Sequence, residues 1–316
     1  MPSVTFGLNT CYAVKRWPEP EVWSAVARGL GVRHVQYSFD LLDPVLNGDA
    51  AGYAATRRAC EANGVAIDSA FTGLIGYSQN SLSHPSAAVR DRARAWFEAA
   101  IDASAVLGAR GLGGHIGAVS VRQHADPAAR SAAIDDTVEA VRRLADHAAR
   151  RGLAFLLWEI MPVAREYPSR LDETQELIER LDGTAVPVEL CLDLGHMCAH
   201  GADGPDRDPF AWLERLGAHT RCVHLQQTDG VMDRHWPFTA EFNAQGIVHA
   251  DRVVDLVAAF DRDEVELMCE PMFAFEAADD DVARALADTV EFWRAALGRV
   301  GGGGLAEAAP STSKEI

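Results

Sequence analysis

Short apolar runs of strand length alternate along this chain with longer stretches of helical periodicity, and that alternation predicts most of the architecture. Val4-Thr5-Phe6-Gly7-Leu8 reads as a first strand, followed after a proline-flanked turn by a helix over 19–30. A second strand over 32–37, a helix over 49–63 closed by Asn63-Gly64, and a third strand over 65–71 come next. A helix over 86–107 stops at Gly108 and delivers a glycine-rich strand over 109–115, and a helix over 131–151 stops at Gly152 before the strand Phe155-Leu156-Leu157-Trp158-Glu159. Three more strands are expected over 186–193, 220–226 and 264–270, with helices near 172–181, 209–216, 250–260 and 279–297. Strands that alternate with helices pair in parallel through right-handed crossovers. Eight such units are the number that closes a (β/α)8 TIM barrel, an α/β fold, so residues 1–300 are expected to form a single barrel domain. The glycine-rich tail 301–316 has no apolar periodicity and is expected to be disordered.

The strand ends carry the candidate chemistry. Four consecutive strands finish at Glu159, Asp193, Gln226 and Glu270, side chains that would converge at the C-terminal mouth of a barrel, where catalytic groups of such barrels sit. Three carboxylates and an amide oxygen make an oxygen-rich set suited to a hard or borderline divalent ion such as Mg²⁺ or Mn²⁺. His224 and Gln226 alternate on one strand and share a face, so either could reach the centre. Gln226 lies nearer the rim and is the expected ligand, with His224 one layer deeper, hydrogen-bonding a ligand or the substrate. His115, at the end of the glycine-rich strand, is a candidate for shuttling a proton or binding a hydroxyl. Arg165 and Arg234 are candidates for binding a phosphate or carboxylate. Trp17, Trp158, Trp236 and Phe238 are candidates for a stacking wall, although Trp158 lies within a strand. The loop 72–85 is long for a compact domain, which is usual for functional segments.

Composition narrows the field. With 316 residues, 48% of them hydrophobic, the chain can bury a large core, and a formal charge of −17 argues against a nucleic-acid partner, which needs a basic footprint. The six cysteines include no C-x-x-C pair, so neither structural zinc nor a disulfide framework is expected. No apolar run reaches the roughly 18 residues of a membrane span, and no basic-then-apolar leader opens the chain, so a cytoplasmic protein with no membrane partner is expected. Gly111-Leu112-Gly113-Gly114 is too short for a dinucleotide fingerprint.

Asp193-Leu194-Gly195-His196, preceded by Glu159 and followed by His224-Leu225-Gln226 and Glu270-Pro271, resembles the xylose-isomerase-like sugar isomerase and epimerase barrels, which include ketose 3-epimerases and hydroxypyruvate isomerase. Asn80-Ser81-Leu82-Ser83-His84-Pro85, Val89-Arg90 and Leu107-Gly108-Ala109 are similar to that family's third-strand loop and helix. The resemblance spans about residues 4–297. It implies one divalent ion, Mn²⁺ first with Mg²⁺ or Co²⁺ as alternatives, held by Glu159, Asp193, Gln226 and Glu270, with His196 binding a substrate hydroxyl or carbonyl oxygen. It also implies isomerisation or epimerisation of a small ketose, keto-acid or sugar phosphate, through an enediolate that the ion stabilises and with Glu159 and Glu270 moving the protons. Ketose epimerases usually have histidine as third ligand, whereas the hydroxypyruvate-isomerase-like branch has glutamine. This chain departs from the epimerases in having Arg165 where they carry a substrate-binding glutamate, and Arg234 resembles the family's substrate arginine displaced by a short insertion. The chain also resembles the catalytic subunits of C-glycoside deglycosidases, carbon–carbon lyases that act on 3-keto C-glycosides with a small partner subunit. For the barrels the family implies a homo-oligomer. For the lyase reading it implies a hetero-oligomer in which Trp236-Pro237-Phe238 would shape an aryl pocket or meet the partner.

Overall fold

The computed structural model of the protein describes residues 1–300, and the expected tail 301–316 lies outside the described residues. Its eight strands are β1 (Ser3–Asn9), β2 (His34–Ser38), β3 (Ala66–Phe71), β4 (Gly111–Gly114), β5 (Phe155–Ile160), β6 (Val188–Asp193), β7 (Thr220–Leu225) and β8 (Glu264–Cys269). Each pairs in parallel with the next, and β8 pairs with β1 from Ser3↔Glu264 to Leu8↔Cys269, which closes the barrel. This is the (β/α)8 architecture that the alternation of elements predicts.

Local chemistry sets the helix ends. Gly152 takes a left-handed φ of 83° after the helix Pro127–Arg151 and donates its N–H back to that helix. That helix begins earlier than residue 131, because Asp126 accepts hydrogen bonds from Ala128 N and Ala129 N and Pro127 takes the first helical position. Within the loop 72–85 the chain forms a short helix, Gly73–Gln79. Its first turn is capped from a distance, since the Asp40 carboxylate accepts from Leu74 N and Ile75 N at 2.8 Å each. No periodicity within the loop could announce a cap supplied by the neighbouring stave. Among the described residues no helix is long and apolar enough to cross a membrane.

Side chains fill the barrel interior. Phe71, Phe155, Leu157, Cys191, Cys222 and Met268 form one buried cluster inside the staves, and a larger apolar layer lies between the strands and the helices. The glycines of β4 make room for the inner cluster, since a Cβ on Gly111 would lie 2.2 Å from a ring carbon of Phe155. Toward the N-terminal end of β8 sits a buried acid, Glu266, whose Oε2 accepts from Ser69 Oγ at 2.8 Å and whose Oε1 is 3.6 Å from Arg221 Nε. Burial first, and then the Cys222 charge, push its carboxyl up to about 8.

A carboxyl raised on folding contributes stability that is fully present below its unfolded-state pKa of about 4.3 and is lost as pH rises through the folded value. Glu266→Gln should therefore flatten the stability profile between pH 4.5 and pH 8, by on the order of 4 kcal/mol at the alkaline end. Melting temperatures of both proteins across that range test this. Parallel curves would show that Arg221 keeps Glu266 ionised throughout.

Candidate active site

The pleat of the barrel delivers the central residues. On β5, β6, β7 and beyond β8, the inward-facing Leu157, Cys191, Cys222 and Met268 of the interior cluster are each followed two positions later by Glu159, Asp193, His224 and Glu270. Period-two alternation turns all four toward the axis, one pleat nearer the C-terminal mouth. All four are buried. His224 Nδ1 lies 3.2 Å from Glu159 Oε1, 3.0 Å from Glu270 Oε2 and 3.9 Å from Asp193 Oδ2. One donor atom from each of the four falls within 4.8 Å of the others.

His224 belongs to this set, and the amide of Gln226, the expected third ligand, is turned away from a ligand's orientation. Its Oε1 accepts the backbone N–H of His235, which can only donate, so its NH2 group is the end that faces the acids. Gln226 Nε2 donates to Asp193 Oδ1 at 2.8 Å and to Asp233 Oδ1 at 2.7 Å. An amide nitrogen that is donating offers no lone pair to a cation. Gln226 instead orients Asp193, whose Oδ1 also accepts from Gly195 N at 2.7 Å.

The remaining atoms face the centre without partners. Asp193 Oδ2 and His224 Nδ1 are buried and make no hydrogen bond. Burial pushes the Asp193 carboxyl up to about 6, with His196 and His235 pulling the other way. Burial would raise Glu159 too, but His115 and His224 hold it below the usual carboxylate range. Burial lowers the His224 imidazole, yet the negative charge of Glu270 beside it leaves it well above its ordinary value. Three buried carboxylates around one imidazole are costly unless a positive charge, the imidazole's own proton or a cation, sits among them. A divalent ion fits that set, and the donors suit Mn²⁺, Mg²⁺ or Co²⁺. Above it opens a cavity of about 110 Å³, with Ser38, Asp40, Tyr77, His196, Asp233 and His235 among its lining residues.

The model of the xylose isomerase-like TIM barrel family matches residues 24–296. The chain belongs to that family. It is similar to the D-erythrulose 1-phosphate 3-epimerase of Brucella abortus (strain 2308), at 30% identity over 300 residues, covering 92% of this chain and 96% of the relative. A crystal structure from Rhodospirillum rubrum ATCC 11170 that carries a provisional xylose isomerase name superposes with a TM-score of 0.86 at 32% identity, covering 93% of this chain and 99% of the other. The D-psicose 3-epimerase of Clostridium cellulolyticum H10 shares the fold, with a TM-score of 0.71 at 15% identity over 93% of this chain and 99% of the other.

In this xylose isomerase-like barrel two of the expected substrate groups line the cavity and the others do not. His115 Nδ1 is 3.0 Å from Glu159 Oε2, and its Nε2 lies 2.9 Å from Gly73 O. His196 donates through Nδ1 to Ile160 O at 2.8 Å, which turns Nε2 toward Asp233 Oδ2 at 3.4 Å and the cavity. Arg165 is held elsewhere, donating to Val119 O at 2.9 Å and tying two loops together. Arg234 makes a two-pronged pair with Asp229 Oδ2 at 3.0 and 2.7 Å, and its guanidinium lies 5.2 Å from the Trp236 ring. Trp236 stacks on Phe242, Trp158 and Phe238 are buried in the core, and Trp17 packs edge-on to Tyr12, so none of the four aromatics walls the cavity.

Neighbours of the expected residues take their places. Gln227 and Trp236 exchange backbone hydrogen bonds, folding the loop back as a short antiparallel bridge. Asp233 and His235 line the cavity while Arg234 and Trp236 do not, a one-residue alternation that the sequence shows only once the bridge is known. Glu166, one position past Arg165, is buried and accepts from Tyr77 Oη at 2.7 Å. It lies beside an aromatic that the short helix Gly73–Gln79 brings in.

Proposed function

We propose that this protein is a divalent-metal-dependent 3-epimerase of a small ketose or ketose phosphate, with Glu159, Asp193, His224 and Glu270 as the metal ligands. The observation that carries the reading is the buried quartet of acceptors with two atoms lacking partners. The similarity to a D-erythrulose 1-phosphate 3-epimerase supports the reaction class. The proposal replaces Gln226 by His224 as third ligand, and it assigns phosphate or carboxylate binding to neither Arg165 nor Arg234.

When bound, the ion supplies Lewis-acid stabilisation for the negative charge that a ketose gains as a carbon-bound proton leaves. Glu159 and Glu270 reach the centre from β5 and from the end of β8, so one can remove the proton from one face of the substrate carbon and the other can return it to the opposite face. Their second oxygens are held differently. Glu270 Oε1 accepts from the Asn9 amide at 2.8 Å, a donor that cannot titrate, whereas Glu159 Oε2 meets His115, which can take up or release a proton. His196, steered by Ile160 O, presents Nε2 to a substrate oxygen. Loading the protein with Mn²⁺ and supplying D-fructose, D-psicose, L-ribulose or D-erythrulose 1-phosphate in D₂O should incorporate deuterium at C3 together with inversion there. Absence of exchange across that panel with stoichiometric Mn²⁺ bound would refute the reading.

A further inference from the structure

We infer that Gln36, buried on β2 and outside the ligand set, is a positioning residue that fixes which nitrogen of His224 faces the cation. The inference rests on the metal reading above, but its geometry stands by itself. A backbone N–H can only donate. Cys11 N donates to Asn9 Oδ1 at 2.9 Å, so the other end of the Asn9 side chain must be its NH2 group. That group donates to Glu270 Oε1 at 2.8 Å and to Gln36 Oε1 at 2.8 Å.

The atom of Gln36 that receives the Asn9 N–H must be oxygen, which orients the second amide. Its nitrogen then points to Ser69 Oγ at 3.2 Å and to Cys222 Sγ at 3.7 Å, both able to accept. His224 Nε2 lies 2.7 Å from the same Gln36 oxygen. An oxygen cannot donate, so Nε2 carries the hydrogen, and Nδ1 is the nitrogen that can give up its proton and offer its lone pair to an ion. Nδ1 is also the atom that lies among the three carboxylates with no hydrogen-bond partner.

Every participant is buried: Asn9, Gln36, Ser69, Cys222, His224 and Glu270. Water therefore cannot substitute for a missing acceptor at Nε2 without a cavity being made for it. The imidazole would then be free to exchange tautomers or rotate, and half of those states turn an N–H toward the cation. Gln36 and Asn9 form one clamp: the same two amides hold the His224 ring and the second oxygen of Glu270.

Two substitutions separate this role from simple packing. Gln36→Met keeps the length and removes the acceptor, while Gln36→Glu keeps the acceptor. Mn²⁺ affinity by titration calorimetry should weaken about 10–100-fold in Gln36→Met, the range found when an outer partner of a ligating histidine is removed. Gln36→Glu should stay within about fivefold of the parent, because a carboxylate oxygen holds Nε2–H at least as well. Histidine-selective ¹⁵N spectra of the metal-free chain supply a readout independent of activity. A slowly exchanging Nε2–H proton of His224 should be present in the parent and in Gln36→Glu and lost in Gln36→Met.

Gln36→Met binding Mn²⁺ as tightly as the parent with its Nε2–H signal intact would overturn the inference. So would equal weakening in both variants with folded circular dichroism spectra. If Gln36→Met does not fold, loss of the Nε2–H signal or more than tenfold weakening in Gln36→Glu serves the same purpose. A parent chain that binds no divalent ion yet shows the protected Nε2–H would defeat the metal reading and leave the clamp standing.

Discussion

Glu159→Gln and Glu270→Gln should each lower epimerisation by about 10²–10⁴-fold, the span typical of losing one positioned acid–base group. They should do so in opposite senses. An epimerase with a carboxylate on each face of the substrate carbon needs both to invert it, but one carboxylate suffices to remove a proton and put it back. Glu159→Gln should therefore still wash deuterium from D₂O into one member of the epimer pair, and Glu270→Gln into the other, each without inversion. Neither change need empty the metal centre, because glutamine keeps one carbonyl oxygen that can serve as ligand, and Mn²⁺ content measured beside the exchange rates checks this. The Glu270 variant carries a second cost: its amide nitrogen could face Asn9 Nδ2, two donors 2.8 Å apart, unless the new side chain turns. If either variant inverts its substrate at more than a tenth of the parent rate, the two-carboxylate mechanism fails.

The barrel was legible because its signals are local. Gly108 and Gly152 stop helices where left-handed backbone is needed, and Phe155 to Glu159 reads as a buried strand ending in an acid. Glu159, Asp193 and Glu270 are legible as central residues for the same reason, each being a polar residue one pleat above an apolar one on a recognisable stave. The fourth member of the set is not. His224 and Gln226 share a face, and height along the strand favoured Gln226. In the proposed reading what separates them is the N–H of His235 arriving from a loop that folds back, and a contact of that kind has no periodicity. The substrate side behaves similarly: Asp233 and His235 line the cavity, whereas Arg234 and Trp236, each one residue away, do not. Alternation in a loop is set by where its backbone is pinned, and that pin lies elsewhere in the chain.

The choice between His224 and Gln226 yields the other large effect. His224→Ala removes a lone pair from the centre and leaves Gln36 Oε1 with one donor fewer. Mn²⁺ affinity should fall by more than the roughly 10–100-fold that loss of an outer partner causes, and epimerisation at micromolar Mn²⁺ should disappear. Gln226→Ala deletes a donor to Asp193 Oδ1, but Gly195 N still holds that oxygen at 2.7 Å, so affinity should fall only about tenfold. The ranking matters more than either value. For Gln226 to be the ligand, its amide would have to rotate and set its NH2 group against the His235 N–H, leaving two donors facing each other in a buried site. Titration calorimetry on the two alanine variants, with melting temperatures to confirm that both are folded, decides the matter. A larger loss in Gln226→Ala than in His224→Ala would mean that this rotation occurs on loading, and that the bare Nδ1 of His224 serves only to carry a proton between Glu159 and Glu270.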